Sequence, residues 1–283
     1  PLALATVAEM FSQRRGEALG WYTSATQGGG LLGPMLGGIL VYSIGFTPTF
    51  LTAGVIGALS VTVFFFIPKQ ESSKQRKTQS LKFIIGEFLD GLTSVVKHSG
   101  MLATSFAEAA KMMANGTLMA FLPLYGLSIG LNAAEIGLLF GIQALTSLLS
   151  KPTMGRVSDR LGREPLILLG LCCCGGMIIF MPQTDMFSLL LILAAGFGFG
   201  EALVTSSSAA LIADLCQGKS IGAGMGLRGT IMDVGHASGP LVAGYLIGHI
   251  SYFGGFAIIG AIQFLSALFF GLIMMGIKKP AVL

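Results

Sequence analysis

From Ala18 to Pro68 the chain carries no charged residue. At about 1.5 Å of rise per residue, a bilayer core takes roughly 20 apolar residues, so this run holds two membrane-crossing helices. Inside it, Gly29 to Gly38 reads Gly-Gly-Leu-Leu-Gly-Pro-Met-Leu-Gly-Gly. Gly29, Gly33 and Gly37 recur every fourth residue, which puts a side-chain-free stripe on one helix face where a second backbone can approach. Pro34 removes an amide donor and bends the helix. Gly38 closes the pattern, and the stretch reads as a kinked, tightly packed span.

The rest of the chain follows suit. Hydrophobic residues make up 53% and charged residues 11%, against about 25% charged in a soluble domain. The fold class is an all-α polytopic membrane protein. Spans are expected near 19–42, 49–67, 101–127, 134–154, 165–182, 187–213, 221–247 and 253–276, after a stub of helix at Pro1–Phe11. Lys69 to Ser80 is a polar, basic linker. Leu81, Ile84, Phe88, Leu92 and Val95 then follow helical spacing, which predicts a short amphipathic helix lying along the membrane surface.

The net charge of +4 does not point to nucleic acid, because of where the charges fall. Arg14, Arg15, the Lys69–Lys97 segment, Arg156, Arg160, Arg163, Lys219, Lys278 and Lys279 all lie in loops on one side. The loops of the other side hold Glu135 and Asp185 and no Lys or Arg. The positive-inside rule makes the basic side cytoplasmic, the C-terminus with it. Cys172, Cys173 and Cys174 are consecutive in an apolar span and point to different faces, which suits packing and not metal ligation. No metal and no cofactor is expected.

Gly235 to Gly244, reading Gly-His-Ala-Ser-Gly-Pro-Leu-Val-Ala-Gly, repeats the first pattern, with Pro34 and Pro240 lying 206 residues apart. The repeat predicts two related halves and about 100 residues, holding several spans, ahead of Pro1. Domains are expected as a remnant of an N-terminal bundle at 1–67, a cytoplasmic linker at 68–99 and a six-helix bundle at 100–283.

Gly155-Arg-Val-Ser-Asp-Arg-Leu-Gly-Arg-Glu164 joins two spans on the cytoplasmic side. Gly155 and Gly162 permit a tight turn. Asp159 suits the unpaired amides of a helix start, expected near Ile221, while Arg160 and Arg163 pair with acids or lipid phosphates. With this loop the chain resembles the major facilitator superfamily, whose signature lies between its eighth and ninth helices. Glu164 stands where that family usually has a basic residue. Gly29 to Gly38 resembles the family's fifth-helix antiporter signature, and the linker resembles the loop between its two bundles. The resemblance implies that 101–127 and 187–213 correspond to the seventh and tenth helices, which line a central cavity.

Charged residues within spans cost a few kcal/mol each and so carry a partner or a role. Glu108, Lys111 and Asn115 share one face at i, i+3 and i+7, and the first two can neutralise each other. Glu201 shares a face with Thr205 and Ser208 and has no cation one turn away, and desolvation of its ionised form suits a proton carrier. Asp233 and His236 are i, i+3 neighbours able to share a proton. Arg228 lies off the face of Asp233 and is expected near a membrane–water boundary.

With no nucleotide-binding loop in the sequence, an ion gradient is the expected energy source. The expected function is proton-coupled efflux of a small organic or drug-like solute by alternating access. Its partners would be the solute, protons and the lipid bilayer, and the protein a monomer in the cell membrane when whole. Uptake of a nutrient by proton symport is the alternative, and a non-transporting fragment or sensor a third. The cysteines and histidines form no nucleophile–base constellation, so an enzyme is not expected.

Overall fold

The computed structural model describes residues 15–65, 98–215 and 221–277. The expected stub at Pro1–Phe11 and the amphipathic linker helix lie outside the described residues. Eight α-helices occupy the eight expected spans. They are α1 (Arg15–Ile44), α2 (Phe46–Phe65), α3 (Ser99–Ser128), α4 (Ala133–Leu161), α5 (Arg163–Phe180), α6 (Phe187–Leu215), α7 (Ile221–His249) and α8 (Tyr252–Gly276). A 3₁₀ turn at Met181–Gln183 follows α5.

The ends of these helices follow from local chemistry. Asn132 caps α4: its side chain accepts from the Glu135 amide at 3.0 Å, and the Glu135 carboxylate accepts from the Asn132 amide at 2.8 Å. Two otherwise orphaned amide donors are satisfied by that exchange. Ser251 caps α8 by accepting from the Gly254 amide at 3.0 Å. Between α4 and α5 the turn is a single residue, Gly162, at φ +96°, a conformation that side chains with a Cβ resist. Gly155, expected to help make that turn, instead lies inside α4, because the helix runs through the loop motif to Leu161.

α4, α6, α8 and α5 with its 3₁₀ turn are each long and apolar enough to cross a membrane. α3 and α7 run for 30 and 29 residues and hold the internal charges. Large apolar side chains such as Leu241, Tyr245, Leu265 and Met275 cover the outside, as expected where lipid is the solvent. Lipid tails are as apolar as leucine, so the helices associate through close packing and polar contacts and not through the hydrophobic effect.

Small residues supply that packing in both copies of the repeat. In the second copy α7 lies along α3: Gly235 meets the Ala109 carbonyl, Gly239 meets Met113 and Thr117, and Gly116 of α3 meets the His236 carbonyl. Rising residue numbers on one helix meet rising numbers on the other, so the pair is parallel. Ala243 is wholly buried there. In the first copy α1 packs on α4. A Cβ built on Gly137 would stand 2.6 Å from the Pro34 carbonyl oxygen, and one on Gly38 would overlap the Ala133 carbonyl.

The contact of α1 with α4 does not run along the stripe of Gly29, Gly33 and Gly37. A Cβ built on any of the three would meet nothing within 4 Å outside its own helix among the described residues. Successive residues of a helix are turned by about 100°, so the face of α1 that meets α4 at Pro34 and Gly38 lies one residue off the Gly33–Gly37 stripe. The contact pairs Pro34, Met35 and Gly38 on α1 with Ala133, Gly137 and Gly141 on α4.

Candidate functional site

The internal charges converge where α3, α6 and α7 face one another. Glu108 of α3 is wholly buried. Its carboxylate takes both arms of the Arg228 guanidinium from α7, Nε to Oε2 at 2.6 Å and Nη2 to Oε1 at 2.5 Å. The Ser208 hydroxyl of α6 donates to Oε2 at 2.5 Å. A planar fork matches a carboxylate in this way, and charge-assisted bonds of this kind are the strong ones.

Lys111 pairs with Glu108 as its spacing predicts, its ammonium 3.8 Å from Oε1, a longer contact than those of the guanidinium. Its hydrogen bonds go to the Thr205 hydroxyl of α6 at 3.1 Å and the Met112 sulfur at 3.2 Å. With 1% of its surface exposed, Lys111 is a buried cation held beside a carboxylate that another cation already occupies. Arg228, which the sequence left without a partner, reaches into the bundle to Glu108. A guanidinium cannot shed its charge, so it extends to the buried carboxylate at its own depth.

Glu201 sits in mid-α6, half-buried, one turn before Thr205. Among the described residues it makes no ion pair. Asn115 is half-buried on the α3 face of Glu108 and Lys111. Asp233 is exposed and His236 half-buried, and neither joins an ion pair among the described residues. The contribution of His236 to packing is its backbone carbonyl against Gly116. On the far side of α3, a groove of about 740 Å³ runs between α3, α7 and α8, lined by Phe106, Met113, Val234, Leu265 and Phe269, and it contains none of these charges.

At the cytoplasmic loop, Asp159 pairs with Arg163 one turn on. Arg163 also donates to the Ser158 hydroxyl at 2.7 Å and to Asp214 of α6 at 3.2 Å. Burial works against the guanidinium charge, but the bonds and charges of Asp159 and Asp214 outweigh it and hold the group above its ordinary value. Arg163 thereby ties α4, α5 and α6 together at one end. Arg160 joins no ion pair among the described residues. The expected placement of Asp159 beside the start of α7 involves residues 216–220, which lie outside the described residues.

Because Asp214 still holds Arg163 when Asp159 is neutralised, Asp159→Asn is expected to change folding stability by no more than about 1 kcal/mol, the worth of an exposed ion pair. Unfolding of the purified chain in mixed micelles reads the change, and a loss of about 3 kcal/mol or more would show that Asp214 does not hold Arg163 alone.

Long apolar helices, with charges paired where they face one another, make this a multi-pass integral membrane protein. The chain belongs to the major facilitator superfamily, whose model matches residues 1–128 and 104–282. It is similar to the "Multi-drug resistance efflux pump PmrA homolog" of Lactococcus lactis, 28% identical over 247 residues, 84% of this chain and 59% of that protein. It is also similar to "Multidrug resistance protein MdtG" of Escherichia coli, 25% identical over 249 residues, 86% of this chain and 59% of that one. The MdtG of Enterobacter lignolyticus is 23% identical over 278 residues, 96% of this chain and 65% of its own length. The chain thus spans about three fifths of the length of these relatives.

Proposed function

We propose that this chain works within a two-bundle transporter that exports a small organic or drug-like solute in exchange for protons, by alternating access. Residues 100–283 would form one complete bundle, 1–67 part of the other, and 68–99 the cytoplasmic linker. The C-terminus would lie in the cytoplasm of a cell bounded by the membrane the protein spans. The relative named a multi-drug resistance efflux pump supports export.

The observation that carries proton coupling is the contrast between two carboxylates in one bundle. Glu108 is bound by the Arg228 guanidinium and the Ser208 hydroxyl. Glu201 has no ion-pair partner among the described residues. A group that must gain and lose a proton once per cycle cannot be locked in one charge state by a fixed cation. Glu201 meets that condition and Glu108 does not.

The test uses inverted membrane vesicles holding the intact transporter, with an acidified lumen and a pH-sensitive dye. Ethidium added outside is expected to enter the lumen and drive protons out, raising the luminal pH, and a protonophore is expected to stop its accumulation. Accumulation that persists in the protonophore would sink proton coupling.

A further inference from the structure

A carboxyl that carries a proton needs an acceptor for its O–H when protonated. Among the described residues four side-chain oxygens are buried with no hydrogen-bond partner, those of Gln143, Ser147, Ser207 and Gln263, and two of them sit one turn apart on α4: Oε1 of Gln143 and Oγ of Ser147. The two residues are 6% and 3% exposed. Such an atom ordinarily finds a partner, and an orphan in a native bundle calls for an explanation.

The register of α4 on α6 provides one. The backbone of Gln143 lies against Gly198 of α6, where an added Cβ would fall 2.9 Å from the Gln143 carbonyl carbon. α4 and α6 are separated by one helix, so they run in the same direction across the membrane. Three residues beyond Gly198 on α6 is Glu201, about 4.5 Å further along. Four residues beyond Gln143 on α4 is Ser147, about 6 Å further along. The backbone of Glu201 therefore stands at a level between those of Gln143 and Ser147, the residues that carry the two oxygens.

We propose that Gln143, seconded by Ser147, is the positioning residue for Glu201, its amide oxygen accepting the hydrogen bond of the protonated carboxyl. The proposal rests on the reading of Glu201 as the proton carrier.

Other groups bear on the charge of Glu201. From α3 come Lys111, bonded to Thr205 one turn along α6, and Glu108 beyond it. From α7 comes Arg228, bound to Glu108. From α5 come Cys174, whose sulfur would meet a Cβ on Gly200 at 2.8 Å, and Cys173, bonded to the Gly196 carbonyl at 3.3 Å. α4 holds no titratable side chain between Glu135 and Lys151.

The experiment follows the infrared C=O stretch of the protonated acid across a pH titration of the purified chain in detergent, assigned to Glu201 by its disappearance in Glu201→Gln. Losing one hydrogen bond to the protonated form is expected to make Glu201 bind its proton about fivefold more weakly in Gln143→Leu, a midpoint about 0.7 pH unit lower. Gln143→Met, which keeps length and shape, is expected to do the same and serves if the leucine variant does not fold. Ser147→Ala is expected to shift the midpoint in the same direction by less. A midpoint that is unchanged or raised in the Gln143 variants overturns the proposal while leaving Glu201 as the carrier. If no protonated-acid band disappears in Glu201→Gln, the carrier reading fails, and this proposal with it.

Discussion

Glu201→Gln is expected to abolish proton-driven accumulation by the intact transporter while leaving solute exchange in place. Glutamine keeps the size and the hydrogen-bonding capacity of a protonated glutamic acid, but it cannot release a proton. The transporter is then fixed in the chemical state that Glu201 has with its proton on. Binding of solute and the movement between inward- and outward-facing forms do not need the proton to leave, so counterflow continues. In proteoliposomes, accumulation driven by a pH gradient should fall to the level of empty vesicles. Counterflow should stay within about twofold of wild type, which is about 0.4 kcal/mol. Full coupling in Glu201→Gln would make that residue a packing or solute contact and move the search to Glu108 or Asp233. Loss of both activities would show a fold or binding defect, and the coupling claim would gain nothing from it.

How far the sequence foretold the site depended on whether a feature was local. The eight helices were legible because each is a long apolar run closed by charge or by turn chemistry, such as the Asn132–Glu135 exchange ahead of α4. The grouping of Glu108 with Lys111, and of Glu201 with Thr205 and Ser208, was legible because helical spacing puts those residues on shared faces. The pairing of Arg228 with Glu108 was not, since 120 residues separate them. A signal for it did exist. α3 and α7 run in parallel, Glu108 is nine residues from the start of α3 and Arg228 seven from the start of α7. At about 1.5 Å per residue the two charges lie within roughly 3 Å of the same depth.

The glycine pattern shows the opposite failure. A repeat of Gly29, Gly33 and Gly37 reads as a contact face, yet the contact falls on Pro34, Met35 and Gly38. Spacing on one helix says only where an approach is possible. Which face is used depends on the partner, and the matching small residues at Ala133, Gly137 and Gly141 of α4 were the missing half of the pattern.

The cluster around Glu108 leads to the largest expected effect on stability, and to an asymmetry that a simple ion pair would not show. Glu108→Gln leaves Arg228 and Lys111 together in a buried site with no carboxylate between them. Removing one partner of a buried pair costs about 3–5 kcal/mol, and here two like charges are stranded by one substitution. Arg228→Gln leaves a buried carboxylate that still has the Ser208 hydroxyl at 2.5 Å and the Lys111 ammonium at 3.8 Å. Closing that gap by a rotamer change would restore most of the charge balance, so the loss is expected to be about half as large. The double variant Glu108→Gln/Arg228→Gln leaves one buried cation and is expected to be more stable than Glu108→Gln alone. Reversible unfolding of the purified variants in mixed micelles gives the three free energies and, from the cycle, the coupling between the two residues. If Arg228→Gln is the more damaging single change, Lys111 cannot take over from Arg228. If the double variant is the least stable of the three, the charges of Glu108 and Arg228 do not compensate each other at all.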